Sequence, residues 1–194
     1  MSDQNFWEFV PHEIVSCMGG KTGWNQWTSF ARANNINPNQ EPKCLGSGNE
    51  GVVFDLNDGR VMKLSHNLYE HSFATIVKQN PNKNIVAVHA TELFDQTVVS
   101  VYDKLFPLAE KDEKHLKLLE HETLDRPLKP KLLEKFAQTK YHTDNKSDEH
   151  YRKCFLFYHN LSKYLVNYGL EIFDVHTKNI LQKDDCLKLC DLGC

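Results

Sequence analysis

The sequence predicts an α+β fold in which strands occupy much of the first half of the chain and a long helix lies in the second half. Three observations indicate this class. β-branched and apolar residues flank the turn dipeptide Asp58-Gly59, which is typical of a β-hairpin. Apolar residues recur at helical spacing over residues 157–168, and two short apolar stretches over residues 180–189 predict a second hairpin.

A glycine-rich segment at residues 45–54 fits the pattern G-x-G-x-x-G-x-V, in which glycines let the backbone close over phosphate groups. A dinucleotide-binding loop with the same glycines would need a helix directly after it. The following residues instead predict strand, turn and strand, at 52–56, 57–59 and 60–64. The pattern therefore favours a glycine-rich hairpin followed by a strand that carries Lys63.

A helix is predicted next, over residues 67–79, and it carries the acidic residue Glu70. Glu70 shares one helix face with Phe73 and Val77, so its carboxylate would point inward, with an apolar stripe behind it. A solvated position is the alternative. Two further apolar runs, 84–94 and 96–105, predict strands that complete the sheet.

The distal segment contains the second group of candidate residues. Gly169 follows the predicted helix where a C-terminal cap belongs, and Asp174, Asn179 and Asp191 come after it in that order. One carboxylate can take the proton of an attacking hydroxyl group, while an amide oxygen and a second carboxylate can hold magnesium. Each residue alone is equally typical of a loop or turn. Their ordered combination indicates phosphoryl transfer.

In these two segments the chain resembles the protein-kinase superfamily, with a D-x-x-x-x-N string at 174–179 and D-x-G at 191–193. The resemblance implies a bilobal fold. In such a fold, residues 41–105 would form a five-stranded antiparallel N-lobe and residues 106–194 a reduced, mainly helical C-lobe. Residues 1–40 would form an N-terminal extension, whose aromatic residues would pack on the core or bind a partner.

The resemblance also implies a role for each candidate residue, with ATP and Mg²⁺ as the bound groups. Lys63 would position the phosphates and Glu70 would position Lys63, while Asp174 would act as the base and Asn179 and Asp191 would hold magnesium. The residues expected to line the nucleotide site are Gly46, Ser47, Gly48, Gly51 and Val53 in the lid, with Asp103 in a hinge at 102–105 that holds the adenine.

Several features depart from the usual kinase pattern. Ile172-Phe173 stands where His-Arg commonly precedes the catalytic aspartate, so we expect no activation through a phosphate bound by that arginine. The string D-x-H-x-x-N-I-L at residues 174–181, which contains His176, resembles small-molecule phosphotransferases and atypical bacterial or phage kinases more closely. The sequence ends at Cys194, directly after the D-x-G string, so we expect a protein without an activation segment or later helices, similar in this to short kinase-like proteins of bacteriophages and bacterial effectors.

Three functions are consistent with these motifs. The first is a protein kinase, of the Ser/Thr type, that transfers the γ-phosphate of ATP to a protein hydroxyl group. The second is a catalytically weak or inactive kinase-like module that binds a partner protein. The third is phosphorylation of a small molecule, which His176 favours.

Composition restricts the partners. A net charge of -3 gives no overall attraction to nucleic acid, although lysines cluster at 129–140. No apolar run approaches the ~20 residues of a membrane span, and no basic, then apolar, leader opens the chain. We therefore expect a cytoplasmic protein that binds neither nucleic acid nor membrane. The six cysteines lack a C-x-x-C pair, which favours free thiols over a metal site.

Overall fold

The computed structural model describes residues 20–37, 43–48, 51–121, 149–170 and 175–192. The described chain divides into two compact units. The first contains the described residues up to Asn80 together with Ala87–Lys104, and the second contains Pro81–Val86 and the described residues of Leu105–Leu192. The predicted α+β class is confirmed, because both units combine helices with strands.

The first unit is built on a five-stranded antiparallel sheet, as the sequence predicts. Its strands lie in the spatial order β1-β2-β3-β5-β4, and every neighbouring pair is antiparallel. The strand bounds are β1 Lys43–Gly48, β2 Gly51–Asp55, β3 Arg60–Ser65, β4 Val88–Phe94 and β5 Thr97–Asp103. The turn between β2 and β3 contains Asn57 and Gly59, both with positive φ, which explains the glycine at that position.

Helix α1 (Gly20–Ala33) supplies two large side chains to the core of this unit. Trp27 and Phe30 are buried in one cluster with residues of β2, β3, β4 and β5. The Phe30 and Phe94 rings meet edge to face with centroids 5.6 Å apart, an arrangement that the aromatic quadrupole favours. For Trp27 and Phe30, packing on the core is therefore confirmed over exposure to a partner. Phe6, Trp7 and Phe9 lie outside the described residues.

Helix α2 (Leu68–Gln79) packs on β4 and β5. Its N-cap is Asn67, whose side chain accepts a hydrogen bond from the N–H of Tyr69 and so satisfies one free donor of the first turn. The residues buried on α2 are Glu70, Phe73, Ala74 and Val77. This confirms the predicted helix and its buried face, including the inward position of Glu70.

The second unit pairs two helices with a short hairpin. Helix α3 (Glu110–His121) packs on α4 (Glu149–Tyr168), and α4 packs on strand β7 (Cys186–Leu189). The predicted cap is present: Gly169 has φ +61°, and the N–H of Leu170 donates to the carbonyl of Leu165 at 2.9 Å. Both features belong to the Schellman motif that ends helices at glycine.

The hairpin of the second unit consists of β6 (Ile180–Lys183) and β7 (Cys186–Leu189). The polar residues 182–185 predict the turn of this hairpin. In the structure, Gln182 and Lys183 still pair with β7, so only Asp184 and Asp185 form the turn. Both aspartates have positive φ, which is the conformation of a tight two-residue hairpin turn. None of the helices in the described ranges combines the length and apolar character needed to cross a membrane.

Candidate functional site

The glycine-rich segment forms the hairpin of β1 and β2. Gly46, Ser47 and Gly48 are exposed on β1 and pair across the hairpin with Val53, Val52 and Gly51. A strand rather than a helix follows the glycines, as predicted, so the described geometry lacks the helix N-terminus that a dinucleotide-binding loop would use.

The glycines of this hairpin differ in what surrounds them. A Cβ atom on Gly51 would overlap the carbonyl oxygen of Leu64 on β3, so close packing of the backbone requires glycine there. A Cβ atom on Gly46 or Gly48 would meet no heavy atom of the described residues within 4 Å. Protein packing therefore does not explain these two glycines, and the open space beside them is compatible with a bound group.

Lys63 and Glu70 form the predicted ion pair. Lys63 Nζ lies 3.0 Å from Glu70 Oε2, and the exposed fractions of the two side chains are 12% and 1%. The other carboxylate oxygen, Oε1, accepts a 2.8 Å hydrogen bond from the hydroxyl group of Tyr102. A buried charge needs such partners, because burial without them costs several kcal/mol. The carboxylate therefore bridges a cation on β3 and a phenol on β5.

The register of the sheet determines what surrounds Lys63. Val53 of β2 and Ser100 of β5 are its partners on the two neighbouring strands. Residues that pair directly across a sheet share one face. Val53, which is half-buried, therefore lies on the same face of the sheet as Lys63. Its role in lining a nucleotide site stays a prediction. The opposite face carries Val52 and Phe54 and is covered by α1.

Asp103 ends β5, and its polar groups already have partners within the first unit. Its carboxylate Oδ1 lies 3.0 Å from His89 Nε2, and its N–H donates to the carbonyl of Ala87. The neighbouring N–H of Lys104 donates to Gly59. Two N–H groups of the predicted hinge are thus used by protein carbonyls. The role of Asp103 in adenine binding stays a prediction.

The two candidate magnesium ligands lie in the second unit. Asn179 ends a 3₁₀ helix (Thr177–Asn179), and Asp191 follows β7 by two residues. The N–H and the thiol of Cys190 both donate to the carbonyl oxygen of Asn179, at 2.9 and 3.1 Å. These bonds extend the β6–β7 pairing by one residue, so the backbones that carry Asn179 and Asp191 run side by side.

The structure thus groups the predicted residues in two sets. The first unit brings together Lys63 and Glu70, with Val53 on the same face of the sheet as Lys63. The second unit brings the backbones of Asn179 and Asp191 together. Asp174, the predicted base, lies outside the described residues, as do Asn49 and Glu50 at the tip of the glycine hairpin.

No family model matches this chain, and no curated protein matches its sequence. The kinase-like assignment therefore stays a prediction that depends on the motifs and on the geometry of the two sets. Within the described ranges, no three His, Cys, Asp or Glu side chains are grouped as a metal site. Among the described cysteines, Cys44, Cys154, Cys186 and Cys190 form no disulfide.

Sequence reasoning missed a buried charge cluster between α3 and α4. The fully buried carboxylate of Asp112 contacts His150 Nδ1 at 2.7 Å and Lys153 Nζ at 2.6 Å. Burial alone raises the pKa of Asp112, but the hydrogen bonds and charges of Lys153 and His150 outweigh burial and hold the pKa below its usual value. Only the spacing of His150 and Lys153, which share a helix face, signals this cluster in the sequence.

The second unit also contains a cavity of about 300 Å³. It lies beside α4 and the β6–β7 turn, and none of the predicted site residues lines it. Its lining residues include the exposed Arg152 and Asp185, the half-buried Cys186, and Leu187 as part of an apolar floor. The cavity is therefore separate from both sets of candidate residues.

Proposed function

We propose that this protein is an ATP- and magnesium-dependent phosphotransferase of bilobal, protein-kinase-like fold that phosphorylates a serine or threonine hydroxyl group of a protein. The observation that carries the proposal is the buried Lys63–Glu70 ion pair on the sheet that begins with the glycine-rich hairpin. A lysine fixed by a carboxylate and adjacent to a flexible glycine lid is the arrangement that phosphoryl-transfer enzymes of this kind use to orient ATP.

The first unit would bind and orient the nucleotide. The ammonium group of Lys63 would contact the phosphates, and its position would be set by the buried carboxylate of Glu70. Gly46 and Gly48 would let the β1–β2 hairpin approach the phosphates, because no side chain of the described residues fills the space beside them. Val53, on the face of Lys63, would contact the adenine ring through apolar packing.

The second unit would supply the metal ligands and the base. Asn179 and Asp191 offer an amide oxygen and a carboxylate, which are ligands that Mg²⁺ prefers. Magnesium, when bound, supplies positive charge to the phosphate oxygens. Asp174 would accept the proton of the acceptor hydroxyl group while the hydroxyl oxygen forms a bond to the γ-phosphorus. The bond from that phosphorus to the β–γ bridging oxygen breaks, and ADP leaves. The proposal includes a cytoplasmic location, where ATP is abundant.

The decisive experiment measures transfer from γ-labelled ATP with magnesium to the protein itself, to a generic protein acceptor and to a cell lysate. Wild type is compared with Asp174→Ala, Lys63→Met and the control Lys78→Met, which changes an exposed lysine of α2. We expect transfer by wild type and the control only, with label on serine or threonine. ATP binding, measured by equilibrium dialysis, should persist in Asp174→Ala.

Other outcomes contradict the proposal in different ways. Equal transfer by wild type and Asp174→Ala would exclude Asp174 as the base. ATP binding without transfer to any acceptor would favour a kinase-like binding module. Transfer restricted to small hydroxyl compounds in the same assay would favour a small-molecule phosphotransferase.

A further inference from the structure

We propose that Tyr102 is a positioning residue for the Lys63–Glu70 pair, so that its hydroxyl group holds the carboxylate in the orientation that fixes Lys63. This inference deepens the proposed function and rests on it for the catalytic consequence, but not for the structural one. The resemblance to kinases assigns Tyr102 only to the hinge at 102–105. The structure instead directs its side chain to Glu70.

Sheet register explains why the three groups meet. Lys63 of β3 pairs with Ser100 of β5, and Tyr102 lies two residues after Ser100. Side chains two apart on a strand lie on the same face, so the ammonium and phenol groups extend from adjacent strands on one side of the sheet. Glu70 reaches this side from the first turn of α2.

Each oxygen of the Glu70 carboxylate has one of these partners. Oε2 lies 3.0 Å from Lys63 Nζ, and Oε1 accepts the 2.8 Å hydrogen bond from Tyr102. Glu70 is only 1% exposed, so water does not readily replace a lost donor. Without the Tyr102 hydroxyl group, Oε1 would be buried with an unmet hydrogen-bonding requirement, which favours rotation of the carboxylate away from Lys63.

Tyr102 is also the most rigid of the three side chains. Lysine and glutamate have several rotatable bonds, whereas the tyrosine ring has two and is buried, with 3% of its surface exposed. Packing around the ring therefore fixes the position of the hydroxyl oxygen. The carboxylate takes its orientation from that oxygen, and Lys63 takes its position from the carboxylate.

Competitive lysine labelling tests this directly and needs no enzymatic activity. The full-length protein without nucleotide is treated with trace acetic anhydride, and acetylation of Lys63 is measured by mass spectrometry relative to exposed Lys78 in the same sample. An amine nitrogen held in contact with a buried carboxylate is shielded from the reagent and reacts slowly. We expect Tyr102→Phe and Glu70→Gln each to raise the Lys63 to Lys78 ratio by roughly tenfold, the change that corresponds to losing a hydrogen bond to a charged group.

The double variant and a control separate positioning from general destabilisation. Tyr102→Phe should add no further increase in the Glu70→Gln background, because the hydroxyl group acts through the carboxylate. Tyr164→Phe, which removes the hydroxyl group of another buried tyrosine, should leave the ratio unchanged. If Tyr102→Phe does not fold, Tyr102→Met gives the same comparison. An unchanged ratio in the folded Tyr102 variant, beside a raised ratio in Glu70→Gln, would overturn the proposal.

Kinetics then test the catalytic consequence. We expect Tyr102→Phe to lower kcat by about tenfold with a smaller change in the KM for ATP, because the hydroxyl group orients Lys63 without contacting the nucleotide. Absence of transfer by wild type would contradict the proposed function and leave the labelling result valid. A raised labelling ratio with unchanged kcat would overturn the catalytic part of the inference.

Discussion

The carbonyl oxygen of Asn179 accepts two hydrogen bonds from Cys190, one from the backbone N–H and one from the thiol. The backbone bond continues the pairing of Ile180 with Leu189, so it is part of the β6–β7 ladder. The thiol bond is an additional restraint that this cysteine supplies. Both act one residue before Asp191, and they therefore restrain the backbones that carry the two candidate magnesium ligands.

Replacing the Cys190 thiol should weaken magnesium binding. Cys190→Ala keeps the backbone bond but removes the thiol donor, and we expect the magnesium concentration for half-maximal transfer to rise about two- to fivefold, the effect of losing one weak neutral hydrogen bond. A magnesium titration of the transfer rate measures this. Cys186→Ala, at the start of β7, is the control, and an equal effect in both variants would exclude a specific role for Cys190.

The glycines of the β1–β2 hairpin should respond differently to alanine. Gly51→Ala places a methyl group against the carbonyl of Leu64 and should lower the free energy of unfolding by about 1–3 kcal/mol, as overpacking does. The methyl group of Gly48→Ala meets no atom within 4 Å in the described part of the chain, so this variant should retain stability and instead weaken ATP binding. Urea unfolding and equilibrium dialysis measure the two effects. A Gly48→Ala variant with unchanged ATP affinity would argue against the predicted lid.

Acid should weaken the packing of α3 on α4 through Asp112. The pKa of Asp112 is lowered in the folded state, so its contribution to stability is fully present above the unfolded value of about 3.9 and is lost as the pH falls through the folded pKa. Asp112→Asn removes one partner of a buried charge cluster and should cost roughly 3–5 kcal/mol at neutral pH.

Unfolding by urea between pH 2.5 and pH 7 measures this effect. The difference in stability between wild type and Asp112→Asn should shrink toward the acid end of that range. Asp95→Asn, at the exposed turn between β4 and β5, is the control and should follow wild type throughout. A stability difference that stays constant with pH would contradict the ionised state of Asp112.

Helix α1 should be integral to the first unit. Trp27 is 1% exposed and packs in the core cluster, so Trp27→Ala should lower the free energy of unfolding by about 3–5 kcal/mol. Gln26→Ala, at the exposed neighbouring position, should change stability by less than about 0.5 kcal/mol. Thermal unfolding of both variants measures the difference, and equal stabilities would argue against burial of this helix.

The sequence predicted the local elements well because their signals are local. Asn57-Asp58-Gly59 favours a tight turn wherever it occurs, and the spacing of Glu70, Phe73 and Val77 defines one face of α2. The ion pair between Lys63 and Glu70 was expected from the resemblance to kinases, and the structure contains it. The repeat of apolar side chains every 2 residues in strands and every 3.6 residues in helices therefore predicted the elements, their order and the buried side of α2.

Only the tertiary structure decided which distant residues meet. The contact of Tyr102 with Glu70 depends on the pairing of β5 with β3, and the contacts of Asp112 with His150 and Lys153 depend on the packing of two helices. Residue type alone predicts neither contact. A tyrosine or an aspartate reads the same in the sequence whether its side chain is exposed to solvent or buried against a partner. Register and packing select the partner, and burial in a region of low polarity makes that partner energetically necessary.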